Sequence, residues 1–111
     1  MALVDDASEI ARRSETRERV EIFAKFRRDR ENVTIVLKDL SSGGARLEGI
    51  EGLTRDEAVT ITLPGRKPMI AFVAWASGMS AGVEFADALT EEIYTFLVDN
   101  YALGRRPTAA A

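Results

Sequence analysis

The chain has 111 residues, of which 46% are apolar and 30% are charged, so it is long enough for one globular domain with its own core. It contains no cysteine and no histidine, which excludes disulfides, thiol catalysis, zinc–thiolate sites, Fe–S clusters and Ser-His-Asp triads. The formal net charge of −3 argues against a dedicated nucleic-acid-binding domain, because such domains are strongly basic.

Between residues 20 and 86, apolar and polar side chains alternate with a period of two, which is typical of half-buried β-strands. The alternation predicts six short strands separated by turns that are rich in Gly, Pro, Asp and Ser. The fifth strand, over residues 69–76, is apolar on both faces, so either both faces are covered or one contacts a ligand or partner. Six such strands predict a small antiparallel barrel or sandwich.

The period changes to that of an α-helix over residues 90–103. Thr90 is the predicted N-cap, and Gly104 has the residue type favoured just after a helix. Ile93, Phe96 and Leu97 fall on one helical face and are predicted to pack in the core. The helix should therefore cover an opening or an edge of the sheet.

The two ends of the chain show no pattern of a targeting signal or of a membrane span. Residues 1–11 are small and acidic, without the basic and apolar regions of a leader, and no apolar run is long enough to cross a bilayer. We therefore expect a cytoplasmic protein without membrane insertion, with a flexible lead at residues 1–11 and a flexible tail at residues 104–111.

Charge is distributed unevenly along the chain. Residues 12–30 carry eight basic and four acidic side chains, a local net charge of +4, whereas residues 31–104 carry five basic and eleven acidic ones, a local net charge of −6. This asymmetry indicates an anionic partner for the basic segment, although a solvated, salt-bridged segment would give the same pattern.

Two short motifs stand out. The first places Arg13 and Arg17 four residues apart, directly after Arg12, and the second reads Asp39-x-Ser41-x-x-Gly44. Each alone has a structural interpretation, because arginines are common in a basic segment and Asp, Ser and Gly cluster in tight turns. Their order along one barrel-like chain is more specific.

Together the motifs resemble the PilZ domain family, whose members are receptors of the bacterial second messenger cyclic di-GMP. The resemblance extends to the strand at residues 59–63, to Val73-Ala-Trp75 and to the strand at residues 82–85. It implies an all-β fold, a six-stranded antiparallel β-barrel with a C-terminal α-helix. The domain would span residues 12–103, with a ligand-binding arm at 12–19, the barrel at 20–86 and the helix at 90–103.

The resemblance also implies a set of cyclic di-GMP-binding positions: Arg12, Arg13, Arg17, Asp39, Ser41, Gly43, Gly44 and Trp75. On the barrel, Asp39 and Ser41 would contact a guanine edge. Gly44, together with Gly43, would leave room for the ligand or maintain the loop geometry. Trp75 aligns with a family aromatic that can lie near the ligand, and a position in the core or at the barrel rim stays equally open.

The remaining positions form the arm. Arg13 and Arg17 would hold phosphate and guanine, since arginine forms forked hydrogen bonds with phosphate and stacks on purines. Arg12 occupies a position at which an arginine tends to accompany an intercalated pair of ligand molecules.

The sequence therefore predicts a receptor rather than an enzyme, with no catalytic residue, metal ligand or cofactor. We expect the arm to be mobile without ligand. Cyclic di-GMP would connect the arm to the barrel. The ordered arm would alter contacts with a downstream protein partner, or self-association of a monomer, in motility or biofilm regulation. Two alternatives stay open: a PilZ-like adaptor that does not bind nucleotide, and a small barrel that binds RNA or single-stranded DNA.

Overall fold

The computed structural model describes residues 17–104, and the predicted lead, Arg12, Arg13 and the tail from residue 105 onward lie outside the described residues. Six strands are followed by one helix. In chain order they are β1 (Glu18–Arg28), β2 (Glu31–Leu40), β3 (Gly44–Glu48), β4 (Ala58–Thr62), β5 (Met69–Ser77), β6 (Ser80–Phe85) and α1 (Glu91–Tyr101).

The strands form a closed barrel in the order β1-β2-β3-β6-β5-β4, and every neighbouring pair is antiparallel. Closure occurs between β1 and β4, where Phe26 lies opposite Ile61. Because each strand is paired on both sides, the sheet has no free edge. The predicted six-stranded antiparallel barrel with a C-terminal helix is therefore confirmed.

The predicted alternation reappears as alternating burial. In β1, Ile22 and Phe26 are at most 1% exposed, whereas Phe23 between them is 63% exposed. Burial of a large apolar side chain contributes roughly 1.5–3 kcal/mol to folding. The barrel interior is thus a single packed core to which all six strands contribute.

Strand β5 has one covered and one uncovered face. Ala71 and Val73 are buried, whereas Ile70, Phe72 and Trp75 are 43–54% exposed. The sequence allowed two interpretations of this apolar run, either both faces covered or one face open to a ligand or partner. Within the residues that the structure describes, the exposure of the outer face agrees with the second interpretation.

Helix α1 closes the end of the barrel at which β1 begins. The hydroxyl of Thr90 accepts a hydrogen bond from the Ile93 backbone N–H at 3.2 Å, which confirms the predicted N-cap. The helix ends at Tyr101, two residues earlier than predicted. The next residues pair with β1 instead, since Ala102 forms a β-bridge with Val20.

One predicted core position of the helix is wrong. Phe96 is 50% exposed, whereas Leu97 and Val98 are buried. Successive residues are rotated by about 100° around a helix axis, so a stripe that includes both Leu97 and Val98 leaves Phe96 on its far side.

The described residues contain no helix that is long and apolar enough to cross a membrane.

Truncation of the core should cost far more stability than truncation of the outer face. We expect Leu37→Ala, at a fully buried position, to lower the free energy of unfolding by about 2–5 kcal/mol, because it removes apolar contacts and leaves a cavity. Phe23→Ala on the exposed face is the control and should cost about 1 kcal/mol or less. Urea denaturation measures both, and equal losses would contradict the described core.

Candidate functional site

Six of the predicted site residues lie within the part of the chain that the structure describes. All six line one cleft, which has a volume of about 300 Å³ and lies beside the turn between β2 and β3. These residues are Arg17, Asp39, Ser41, Gly43, Gly44 and Trp75. They come from three separate parts of the chain, so the barrel fold is what brings them together. The predicted residues Arg12 and Arg13 lie outside the described residues.

Strand register explains this convergence. Asp39 on β2 lies opposite Arg46 on β3, Arg46 lies opposite Gly82 on β6, and Gly82 lies opposite Trp75 on β5. Neighbouring strands are about 4.8 Å apart, so this row extends roughly 14 Å across the outside of the barrel. The row places a carboxylate at one end and an indole ring at the other.

Arg46 holds the carboxylate of Asp39 in place. Its Nε atom donates to Asp39 Oδ2 at 2.6 Å, and its Nη1 atom donates to Glu48 Oε2 at 2.8 Å. The hydrogen bond to Asp39, followed by that to Glu48, raises the pKa of Arg46 above its ordinary value. The Asp39–Arg46 pair is about one-third exposed, so it orients the carboxylate more than it stabilises the fold.

The turn between β2 and β3 is held by backbone hydrogen bonds. Ser41 donates from its backbone N–H to the Gly44 carbonyl at 2.9 Å and from its hydroxyl to the same carbonyl at 3.4 Å. Gly43 accepts from the Phe85 N–H at 2.9 Å, which joins the turn to the end of β6. The contact from the Ser41 hydroxyl is long for an O–H···O hydrogen bond, so this hydroxyl can still donate to or accept from a ligand in the cleft that it lines.

Gly44 has a packing role. A Cβ atom at this position would collide with the backbone carbonyl oxygen of Val83, because β3 and β6 approach closely there. Only glycine fits without a backbone shift. The packing of the barrel thus requires a glycine at the end of the motif. The resemblance assigns this glycine a second role, which is to leave space for a ligand.

The indole of Trp75 lies against Gly82 of β6 at the cleft. A Cβ atom on Gly82 would collide with the indole Nε1 and would lie 2.7 Å from Cε2, so the missing side chain of Gly82 makes the space for the ring. The side chain of Trp75 is 45% exposed, which places it at the rim rather than in the core. One part of the ring is therefore available for stacking with a planar ligand.

Sequence reasoning missed seven residues of the cleft, which are Arg46, Gly82 and Glu84 and the apolar Leu40, Ala45, Ala74 and Val83. Arg46 had a usable signal, since it lies two residues after Gly44 and the tight turn folds it back opposite Asp39. Gly82 and Glu84 lie in the strand that the resemblance includes, but their place in the cleft depends on the register between β3, β5 and β6.

The charged side chains that line the described cleft balance one another. Arg17 and Arg46 are opposed by Asp39 and Glu84. An anionic ligand would therefore need further cations, and the chain carries Arg12 and Arg13 five and four residues before Arg17. Within residues 17–104, no group of three or more acidic side chains is placed so that it could hold a metal ion.

A second cavity, of about 430 Å³, lies between the β4–β5 loop and the start of α1. Its walls include Leu63, Met69, Leu89 and Ile93, and none of the predicted site residues lines it. The smaller cleft is the better candidate because it combines the predicted residues with polar groups and an exposed aromatic ring.

Two comparisons with known proteins bear on the cleft. The family model described as the PilZ domain matches residues 11–99, well over half of the chain. No curated protein matches the chain significantly. The matched range includes every predicted site residue.

The only tryptophan of the chain makes the cleft measurable by fluorescence. We expect Gly82→Ala to push the indole away from β6 into water and to shift the Trp75 emission maximum to longer wavelengths. Gly44→Ala is the matched comparison, because its new methyl group meets backbone instead. It should lower the free energy of unfolding by about 1–3 kcal/mol without moving the emission of the folded protein. Unchanged emission in Gly82→Ala would contradict the described position of the ring.

Proposed function

The chain belongs to the PilZ domain family, and from this premise we propose that it is a receptor for cyclic di-GMP. PilZ domains are generally cyclic di-GMP receptors, and they are binding and adaptor domains rather than enzymes. The observation that supports the proposal is the convergence of Arg17, the Asp39–Gly44 turn and Trp75 on one cleft.

The barrel side of the cleft suits the guanine bases of the ligand. The exposed ring of Trp75 offers a stacking surface, and Asp39 and Ser41 present acceptor oxygens that suit a guanine N–H. None of these groups favours a phosphate. The phosphodiesters of the ligand are therefore assigned to the arm.

The arm supplies the missing positive charge. Arg17 already lines the cleft, and Arg13 would join it in holding phosphate and guanine from the opposite side. Charge-assisted hydrogen bonds contribute about 1.5–3 kcal/mol each and cation–π contacts about 0.5–2 kcal/mol each. Several such contacts together reach the ~8 kcal/mol of micromolar binding after the cost of association.

Binding would act on partners through the arm. A ligand held by both arm and barrel fixes the arm over the cleft, and the ordering of a segment is a recognised switching mechanism. The exposed Phe72 lies beside this cleft on β5, so the rearranged surface would include an apolar part of the barrel. We assign the output to a protein partner or to self-association.

Titration calorimetry with cyclic di-GMP tests the proposal. We expect micromolar or tighter binding by the wild-type chain and at least tenfold weaker binding by Arg13→Ala, Arg17→Ala and Asp39→Ala, since each loses a contact worth about 1.4 kcal/mol or more. Arg55→Ala, in the loop between β3 and β4, is the control for loss of an arginine and should bind like wild type.

The Asp39 variant needs a second control because it also releases Arg46. Glu48→Ala removes the other partner of Arg46 and should leave the affinity almost unchanged. Absence of binding by the wild-type chain at high micromolar ligand would overturn the proposal in favour of a nucleotide-free adaptor. Unselective, strongly salt-dependent binding of oligonucleotides would favour an RNA or single-stranded DNA binder.

The number of ligands bound is a separate prediction that depends on Arg12. Because an arginine at this position accompanies a ligand pair in the family, we expect two molecules of cyclic di-GMP per chain in the wild type and one in Arg12→Ala. The calorimetric stoichiometry measures this directly. A ratio of one in both proteins would show that Arg12 does not hold a second ligand.

A further inference from the structure

The two carboxylates that line the cleft have different environments. Glu84 lies on β6 between Gly44 on β3 and Phe72 on β5, and it lines the cleft. Asp39 is already bound to Arg46. Within residues 17–104, the side chain of Glu84 forms no hydrogen bond or ion pair, so both of its carboxylate oxygens are available as acceptors.

The position of Glu84 relative to the indole ring is fixed by the strand. Glu84 and Gly82 are two residues apart on β6 and share its outer face. The separation along the strand is therefore about 7 Å. The Trp75 ring covers Gly82, so a base stacked on that ring would bring one of its edges within reach of the Glu84 carboxylate.

The chemistry of an unpaired carboxylate restricts what can lie opposite it. An ionised carboxylate accepts hydrogen bonds and donates none, and it repels a phosphodiester. The Watson–Crick edge of guanine presents two adjacent donors, N1–H and the 2-amino group, which match its two oxygens. Adenine presents an acceptor nitrogen at the same edge, so a carboxylate selects against it.

We propose that Glu84 is a specificity-determining residue that reads the N1–H and 2-amino edge of a guanine stacked on Trp75. This inference rests on the proposed function, because it concerns the same cleft and the same ligand. It adds a residue outside the two sequence motifs, contributed by the strand β6. The Glu84 carboxylate would weaken the binding of a phosphate by repulsion, and it would strengthen binding only where a guanine lies opposite it.

The test compares two cyclic dinucleotides that differ in one group. Cyclic di-IMP has the phosphates, riboses and N1–H groups of cyclic di-GMP but lacks the 2-amino groups. Calorimetry would measure both ligands with the wild type, with Glu84→Gln and with Glu51→Gln, which removes an exposed charge from the β3–β4 loop and serves as the control. Circular dichroism would verify that each variant is folded.

We expect Glu84→Gln to weaken cyclic di-GMP about tenfold and cyclic di-IMP about threefold, because a bidentate contact discriminates by roughly 5- to 150-fold and only one of its hydrogen bonds remains in the analogue. Glu51→Gln should change neither affinity. A variant that weakens or tightens both ligands by the same factor would overturn the inference, since Glu84 would then act through its charge alone.

The two proposals fail in different ways. If the wild type binds cyclic di-GMP and Glu84→Gln binds it equally well, the receptor function stands and only the role of Glu84 is lost. If the wild type binds neither dinucleotide, both proposals are overturned.

Discussion

The close pairing of β3 with β6 is the interaction on which the rest of the site depends. Gly44 lies against the carbonyl of Val83 at a distance that leaves no room for a side chain, and it lies opposite Glu84 in the register of the two strands. A slip of one residue would turn either Arg46 on β3 or Glu84 on β6 towards the core, because alternate residues of a strand point to opposite faces. The close register that Gly44 permits therefore places Arg46 and Glu84 at the cleft.

The fold could be predicted from the sequence because its signal is local. Alternation over residues 20–86 and the change of period near Thr90 depend only on near neighbours in the chain, and the structure has six strands and a capped helix there. The error at Phe96 shows the limit of this signal. Periodicity gives the angles between residues on a helix, but the rotation of the helix about its axis is decided by its packing against the barrel, which buries Leu97 and Val98.

The site could be predicted only in part, for a related reason. Asp39, Ser41 and Gly44 belong to one short motif, so the sequence identifies them together, and the structure places them in the cleft with Trp75. Gly82 is different, because its importance comes from the indole that lies across it, and that contact joins two strands. Arg12 and Arg13 stay predictions from sequence, since they lie outside the described residues.

The bridge between Val20 and Ala102 has a consequence for the architecture of larger proteins. It is reinforced by the hydrogen bond from the Leu103 N–H to the Arg19 carbonyl at 2.7 Å, and together these contacts hold the two ends of residues 17–104 side by side. A unit with adjacent ends can be inserted into a surface loop of a host protein without stretching that loop. In this barrel the junction would lie next to Arg17, so strain from the host would be transmitted to the mouth of the cleft.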